Sequence, residues 1–196
     1  MSRPTEAYVS ANLFEVGIGH VVVARFRGHG EMEAGVFLLD VFCLGAKNAL
    51  YTRVSTAEYD ATLLDRLLPA DNRKPIDPPT ARKLIEGAVA YAQNLGLAPH
   101  PDYKMACRVL GGIKSAESTA TFTFGSKGKP FYVQGLRDSV AFCHRLLNQL
   151  RARCGVDGFD FLVLANETQA EELERAGFSI GQSVPAPPGF RPPSQG

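Results

Sequence analysis

Residues 33–45, EAGVFLLDVFCLG, are apolar at both alternating sets of positions: Val36, Leu38, Phe42 and Leu44 in one set, Phe37, Leu39, Val41 and Cys43 in the other. A strand of this kind hides both faces from water, so it belongs inside a sheet that is covered on each side. Two β-branched runs flank it: HVVVARF at 20–26, ending at GHG, and NALYTRV at 48–54, after a short break that contains Gly45. Connections this short join antiparallel neighbours, because a parallel pair needs a crossover of about a dozen residues or more. The N-terminal third therefore reads as a three-stranded meander with the doubly apolar run at its centre.

Helices follow. Thr56 is placed to cap a short helix holding Leu63, Leu64, Leu67 and Leu68, and PADNRKPIDPP after it reads as a surface loop. Asp77 as N-cap and Pro78 as first helical residue open a helix with Leu84, Ile85, Ala88, Ala92 and Leu95 at helical spacing, ended by Gly96. Asp102 is placed to cap YKMACRVL, which runs to Gly111 and Gly112. The alternation Thr121, Phe122, Thr123, Phe124, then GSKGK, then PFYVQ, predicts a β-hairpin. Asp138 or Ser139 begins the helix VAFCHRLLNQLRARC, stopped by Gly155; FDFLVLA at 159–165 is a further strand, and an acidic helix spans 167–176. The expected fold is α+β, a mainly antiparallel sheet made of the meander and the later hairpin with helices packed on it. A single domain over residues 8–182 is expected, with 183–196 a disordered Pro-rich tail.

A chain of 196 residues with 45% hydrophobic content has enough apolar surface for a substantial core. Its cysteines, at 43, 107, 143 and 154, form no CxxC pair and no metal-ligand spacing, which points to free thiols in a reducing, cytoplasmic setting without metal or cofactor. No run has the roughly 18 apolar residues of a membrane span, and the N-terminus lacks the pattern of an export signal. The net charge of +1 hides an uneven distribution, since residues 100–154 hold nine basic and three acidic side chains. Such a local excess attracts phosphates or an acidic partner.

Two residues carry the chemistry a hydrolase would need. Asp40 is a carboxylate inside an apolar run, costly to ionise unless paired or hydrogen-bonded. Lys47, Asn48, Arg25 and the amides of the CLGAKN turn are its nearby partners. With a raised pKa it could serve as a general base; capped by the turn, it is scaffold. Cys43, three residues on, points to the opposite face of a continuous strand and so does not pair with it. His100, between two prolines in LAPHPDYK, is a positioned imidazole or the packing residue of an ordinary connection. A ribonuclease-H-like set of Asp40, Glu86 and Asp138 or Asp160 lacks its leading acid on the first strand. GSKGKP lacks the GxxxxGK[ST] spacing and leads into a strand, which excludes a P-loop. Lys127 and Lys129 on that turn, with Arg145, Arg151 and Arg153 on the next helix, form a candidate surface for RNA or DNA, and Phe131 and Tyr132 offer stacking rings.

In the strings LLDVFCLGAKNA, GLAPHPDY and FGSKGKPFYVQG the chain resembles a group of uncharacterised bacterial proteins over about residues 17–150. That resemblance implies no activity, cofactor or residue role. Three expectations follow from the residues: a nucleic-acid (polyanion) binding domain through Lys127, Lys129, Arg145, Arg151 and Arg153; a hydrolase, nuclease-like, centred on Asp40 and His100; or a module that assembles with a protein partner.

Overall fold

The computed structural model describes residues 5–163 and 167–178. Contacts divide the chain into two units, Met1–Leu162 and Val163–Gly196, each described by itself. The first unit is an α+β domain on a five-stranded antiparallel sheet in the order β4-β3-β2-β1-β5. In chain order its elements are β1 (Glu6–Ser10), α1 (Leu13–Val16), β2 (Ile18–Gly28), β3 (Glu31–Asp40), β4 (Gly45–Ser55), α2 (Thr56–Glu58), a π-helical stretch at Tyr59–Leu64, α3 (Asp65–Leu67), β5 (Arg73–Ile76), α4 (Pro78–Asn94), α5 (Tyr103–Ala106), β6 (Phe131–Val133), α6 (Val140–Cys154) and β7 (Asp160–Leu162). In the second unit α7 spans Glu167–Arg175. The tail expected at 183–196 lies outside the described residues.

The predicted meander is β2, β3 and β4. As expected, β3 has a partner on each side and both faces covered. On one face Val21, Val23, Phe37, Leu39 and Ala49 pack against Ala81, Leu84, Ile85, Ala88 and Val89 of α4 and against Ala106, Val109 and Leu110. On the other, Val22, Ala24, Met32, Ala34 and Val36 pack under Tyr59, Leu64 and Leu68. Asp77 caps α4 by accepting the Thr80 N–H at 3.0 Å, and Ser139 caps α6 by accepting that of Phe142 at 3.2 Å. No helix among the described residues is long and apolar enough to cross a membrane.

The structure corrects several expectations. The loop expected around residue 73 contains β5, which pairs with β1 at the edge of the sheet, where Pro75 costs no interior ladder bond. Ser55, not Thr56, caps α2, because the Thr56 hydroxyl donates instead to the Gly30 carbonyl at 3.0 Å. Asp102 makes no side-chain cap to α5. The predicted hairpin reduces to one isolated bridge, Ser126–Lys129, around a two-residue loop in which Lys127 and Gly128 have φ of 52° and 81°. Phe122 and Phe124 alternate with threonines because an extended segment lays those rings on the core, Phe124 against Tyr91 at 5.7 Å and beside Gly87, where a Cβ would come within 2.9 Å of the ring. β6 pairs instead with β7, in parallel, through the crossover helix α6.

Candidate functional site

Asp40 is the last residue of β3 rather than a mid-strand position, and residues 41–44 form the turn into β4. Its Oδ1 accepts the backbone N–H groups of Phe42 at 3.0 Å and Cys43 at 2.8 Å. This is the turn-capping arrangement, and it corrects the opposite-face geometry inferred for Cys43, which presumed a continuous strand. Burial of Asp40, 7% exposed, pushes its pKa up to about 6, while the turn amides and the positive charge of Lys47 pull the other way.

The turn also anchors segments from far along the chain. The Val41 carbonyl accepts Gly125 N–H at 2.9 Å, the Phe42 carbonyl accepts Phe131 N–H at 3.1 Å, and the Ala46 carbonyl accepts His100 N–H at 2.9 Å. Gly45 lies against α4 with φ of 66°, where a Cβ would meet the Ala88 carbonyl at 2.8 Å. The LLDVFCLGAKNA, LAPHPDYK and FGSKGKPFYVQG segments thus meet at one place.

His100 is held by its backbone. Its Nδ1 accepts the Asp102 N–H at 3.2 Å and lies 3.8 Å from the Asp102 carboxylate. No hydrogen bond or ion pair of His100 reaches Asp40; the two are joined through the turn's main chain and not through their side chains. Arg25, a candidate partner of Asp40, donates instead to the Val109 carbonyl at 2.8 Å. Among the described residues no three His, Cys, Asp or Glu side chains converge as a metal-binding group.

Beside the turn lies a closed polar chain. Asp138 Oδ2 receives Lys47 Nζ at 3.1 Å, the Tyr132 hydroxyl at 3.0 Å and the Gly135 N–H at 2.8 Å. Tyr132, fully buried, also contacts Cys143 Sγ at 3.3 Å. Burial raises the pKa of both the Tyr132 phenol and the Cys143 thiol, which keeps each protonated at neutral pH. Asp138 therefore serves as an internal acceptor rather than a surface charge.

The five basic residues expected to contact nucleic acid occupy the 126–129 turn and α6. Lys127 is exposed at the loop tip, whereas Lys129 donates to the Asp157 carbonyl at 2.8 Å, tying the turn to the loop that follows α6. Arg145 and Arg153 are exposed, separated by about 12 Å of helix. Arg151 is half-buried and donates to Asn148 at 3.2 Å. Phe131 and Tyr132 are drawn into packing, with Phe131 near Phe42 and Tyr132 wholly covered, so neither ring is a free stacking platform.

A second charged group escaped the sequence reading. Arg25, Glu33 and Arg53 are cross-strand partners in one row of β2, β3 and β4. Glu33, 3% exposed, accepts a short hydrogen bond from the Tyr51 hydroxyl and pairs with Arg27 Nε at 2.7 Å across the β2–β3 bulge. Arg53 Nε donates to the Tyr51 hydroxyl at 3.2 Å, and the Arg108 guanidinium lies 5.6 Å from the centre of the Tyr51 ring. The available signal was the alternation of Arg25 and Arg27, but cross-strand register was needed to bring Arg53 and Arg108 to it. Comparison of the chain with protein-family models, curated proteins and solved structures gives no match.

Proposed function

We propose that this domain binds a polyanion, with single-stranded RNA or DNA as the leading class, through the 126–129 turn and the exposed side of α6. One observation carries the reading: between Ser118 and Val156 there are six Lys and Arg side chains and a single carboxylate, Asp138. That carboxylate is consumed internally by Lys47, Tyr132 and Gly135. The positive charge of Lys127, Arg145 and Arg153 is thus left without a neutralising acid on its own segment. The bond from Lys129 to the Asp157 carbonyl holds the turn beside the end of the helix. Uncompensated Lys and Arg contact phosphates and give binding that falls with salt, by about 0.7 in log–log slope per contact on a single strand.

The test is fluorescence anisotropy with a labelled twenty-nucleotide oligo-dT at low and rising salt. Lys127→Gln with Arg153→Gln should weaken binding and flatten the salt dependence by about 1.4, the value for two contacts. An absence of binding at low salt sinks the proposal.

A further inference from the structure

We propose that Arg25, Arg27, Arg53 and Arg108 form a second phosphate-binding site, on the face shared by β2, β3 and β4, that carries part of the backbone of the same single-stranded nucleic acid. The inference rests on the polyanion reading above and adds a separate set of residues to it. The group consists of arginines alone, and the planar fork of a guanidinium matches phosphate oxygens in pairs.

Each arginine is anchored through part of its guanidinium, by one contact for Arg25, Arg27 and Arg53 and by two for Arg108. Arg25 is fixed through one Nη to the Val109 carbonyl, Arg27 through Nε to Glu33, and Arg53 through Nε to the Tyr51 hydroxyl. Arg108 is steadied by the Tyr51 ring and by a contact to Met105 Sδ at 3.4 Å. Anchoring Arg53 by Nε leaves the two-nitrogen end of its fork for a ligand, while Arg27, exposed, is held by its ion pair with Glu33. Such pre-organisation lowers the entropy lost on binding.

Glu33 explains how so many like charges stand together. Its carboxylate is buried beneath the arginines and takes the Tyr51 proton donor and Arg27 on its two oxygens. It orients the cluster while cancelling only one of the four positive charges. Glu31, at the exposed start of β3, is the other acid of this strand end. The cluster stays net cationic with both counted. Arg27, Arg53 and Arg108 are exposed and Arg25 is half-buried beside Val109, so the cluster opens to solvent at the rim where the segment Cys107–Leu110 covers β2, β3 and β4.

The experiment uses the full chain, the labelled oligo-dT and two double variants, Arg53→Gln with Arg108→Gln and Lys127→Gln with Lys129→Gln. Far-UV circular dichroism and the urea midpoint confirm that each variant is folded. The Arg53 and Arg108 pair is expected to weaken binding and to reduce the salt slope by about 1.4, with Arg53→Lys keeping the slope while losing affinity. Unchanged affinity and slope in the arginine variant, with both reduced in the lysine variant, would overturn this site and leave the α6 surface standing. Failure of the parent chain to bind removes both readings. Competition by poly-glutamate as effective as that by unlabelled oligo-dT overturns the nucleic-acid assignment in favour of an acidic protein partner.

Discussion

Replacing Asp40 by asparagine separates what its shape does from what its charge costs. The amide keeps an oxygen where Oδ1 accepts the Phe42 and Cys43 N–H groups, but it cannot ionise. In the folded chain the carboxyl pKa is raised from 3.8 to about 6, chiefly by burial, so the native state holds this proton more tightly than the unfolded chain does. The stability associated with that proton is fully present below pH ~4 and is lost as the pH rises through about 6. At ~1.4 kcal/mol per pH unit, the rise from 3.8 to about 6 amounts to about 3 kcal/mol, of which roughly 2 kcal/mol falls between pH 4 and pH 7.5. The stability of Asp40→Asn relative to the parent should therefore improve by about 2 kcal/mol over that interval. Urea unfolding followed by circular dichroism at 222 nm, in steps from pH 4 to pH 7.5, measures it; the chain has no tryptophan for fluorescence. Parallel stability profiles for the two proteins would refute the claim that Asp40 is the buried titrating group. Asp40→Ala differs by stranding the turn amides at every pH, a cost of about 1–3 kcal/mol with little pH dependence.

Asp138→Ala removes the acceptor shared by Lys47, Tyr132 and Gly135, and should destabilise the domain by about 3 kcal/mol in the same urea assay, more than removal of a surface ion pair would. Gly45→Ala places a methyl group against the Ala88 carbonyl at a left-handed φ, and a loss of at least about 2 kcal/mol is expected from strain and displacement of α4.

The parts of the fold legible in the sequence are those specified locally. The meander showed itself through alternation and short connections, α4 and α6 through a capping residue, an apolar stripe and a glycine stop. What escaped depends on partners distant in sequence. β5 is four residues long and contains a proline and two basic residues, and only β1, more than sixty residues earlier, makes it a strand. The alternation at Thr121–Phe124 was real but reported one-sided burial of an extended segment, which has the same period as a ladder strand. The end of β3 was hidden because its turn, with Val41, Cys43 and Leu44 buried, is apolar like the strand before it. For the candidate sites, the basic excess of the 126–129 turn and α6 could be counted directly. The internal use of Asp138 and the arrangement around Glu33 required the register of the folded strands.

The anchoring turn has a consequence for the order in which this molecule is made. The carbonyls of Val41 and Phe42 in the turn, and of Ala46 just after it in β4, bind the amides of Gly125, Phe131 and His100. Ribosomes release a chain from its N-terminus at about 5–20 residues per second, and domains fold as their segments emerge. The meander, built from neighbouring strands, can close early, since contacts between nearby residues form fastest. For several seconds the nascent domain then presents these acceptors as an empty socket. Each later segment has its docking point waiting, and Phe131, the last of the three to leave the ribosome, completes the seal.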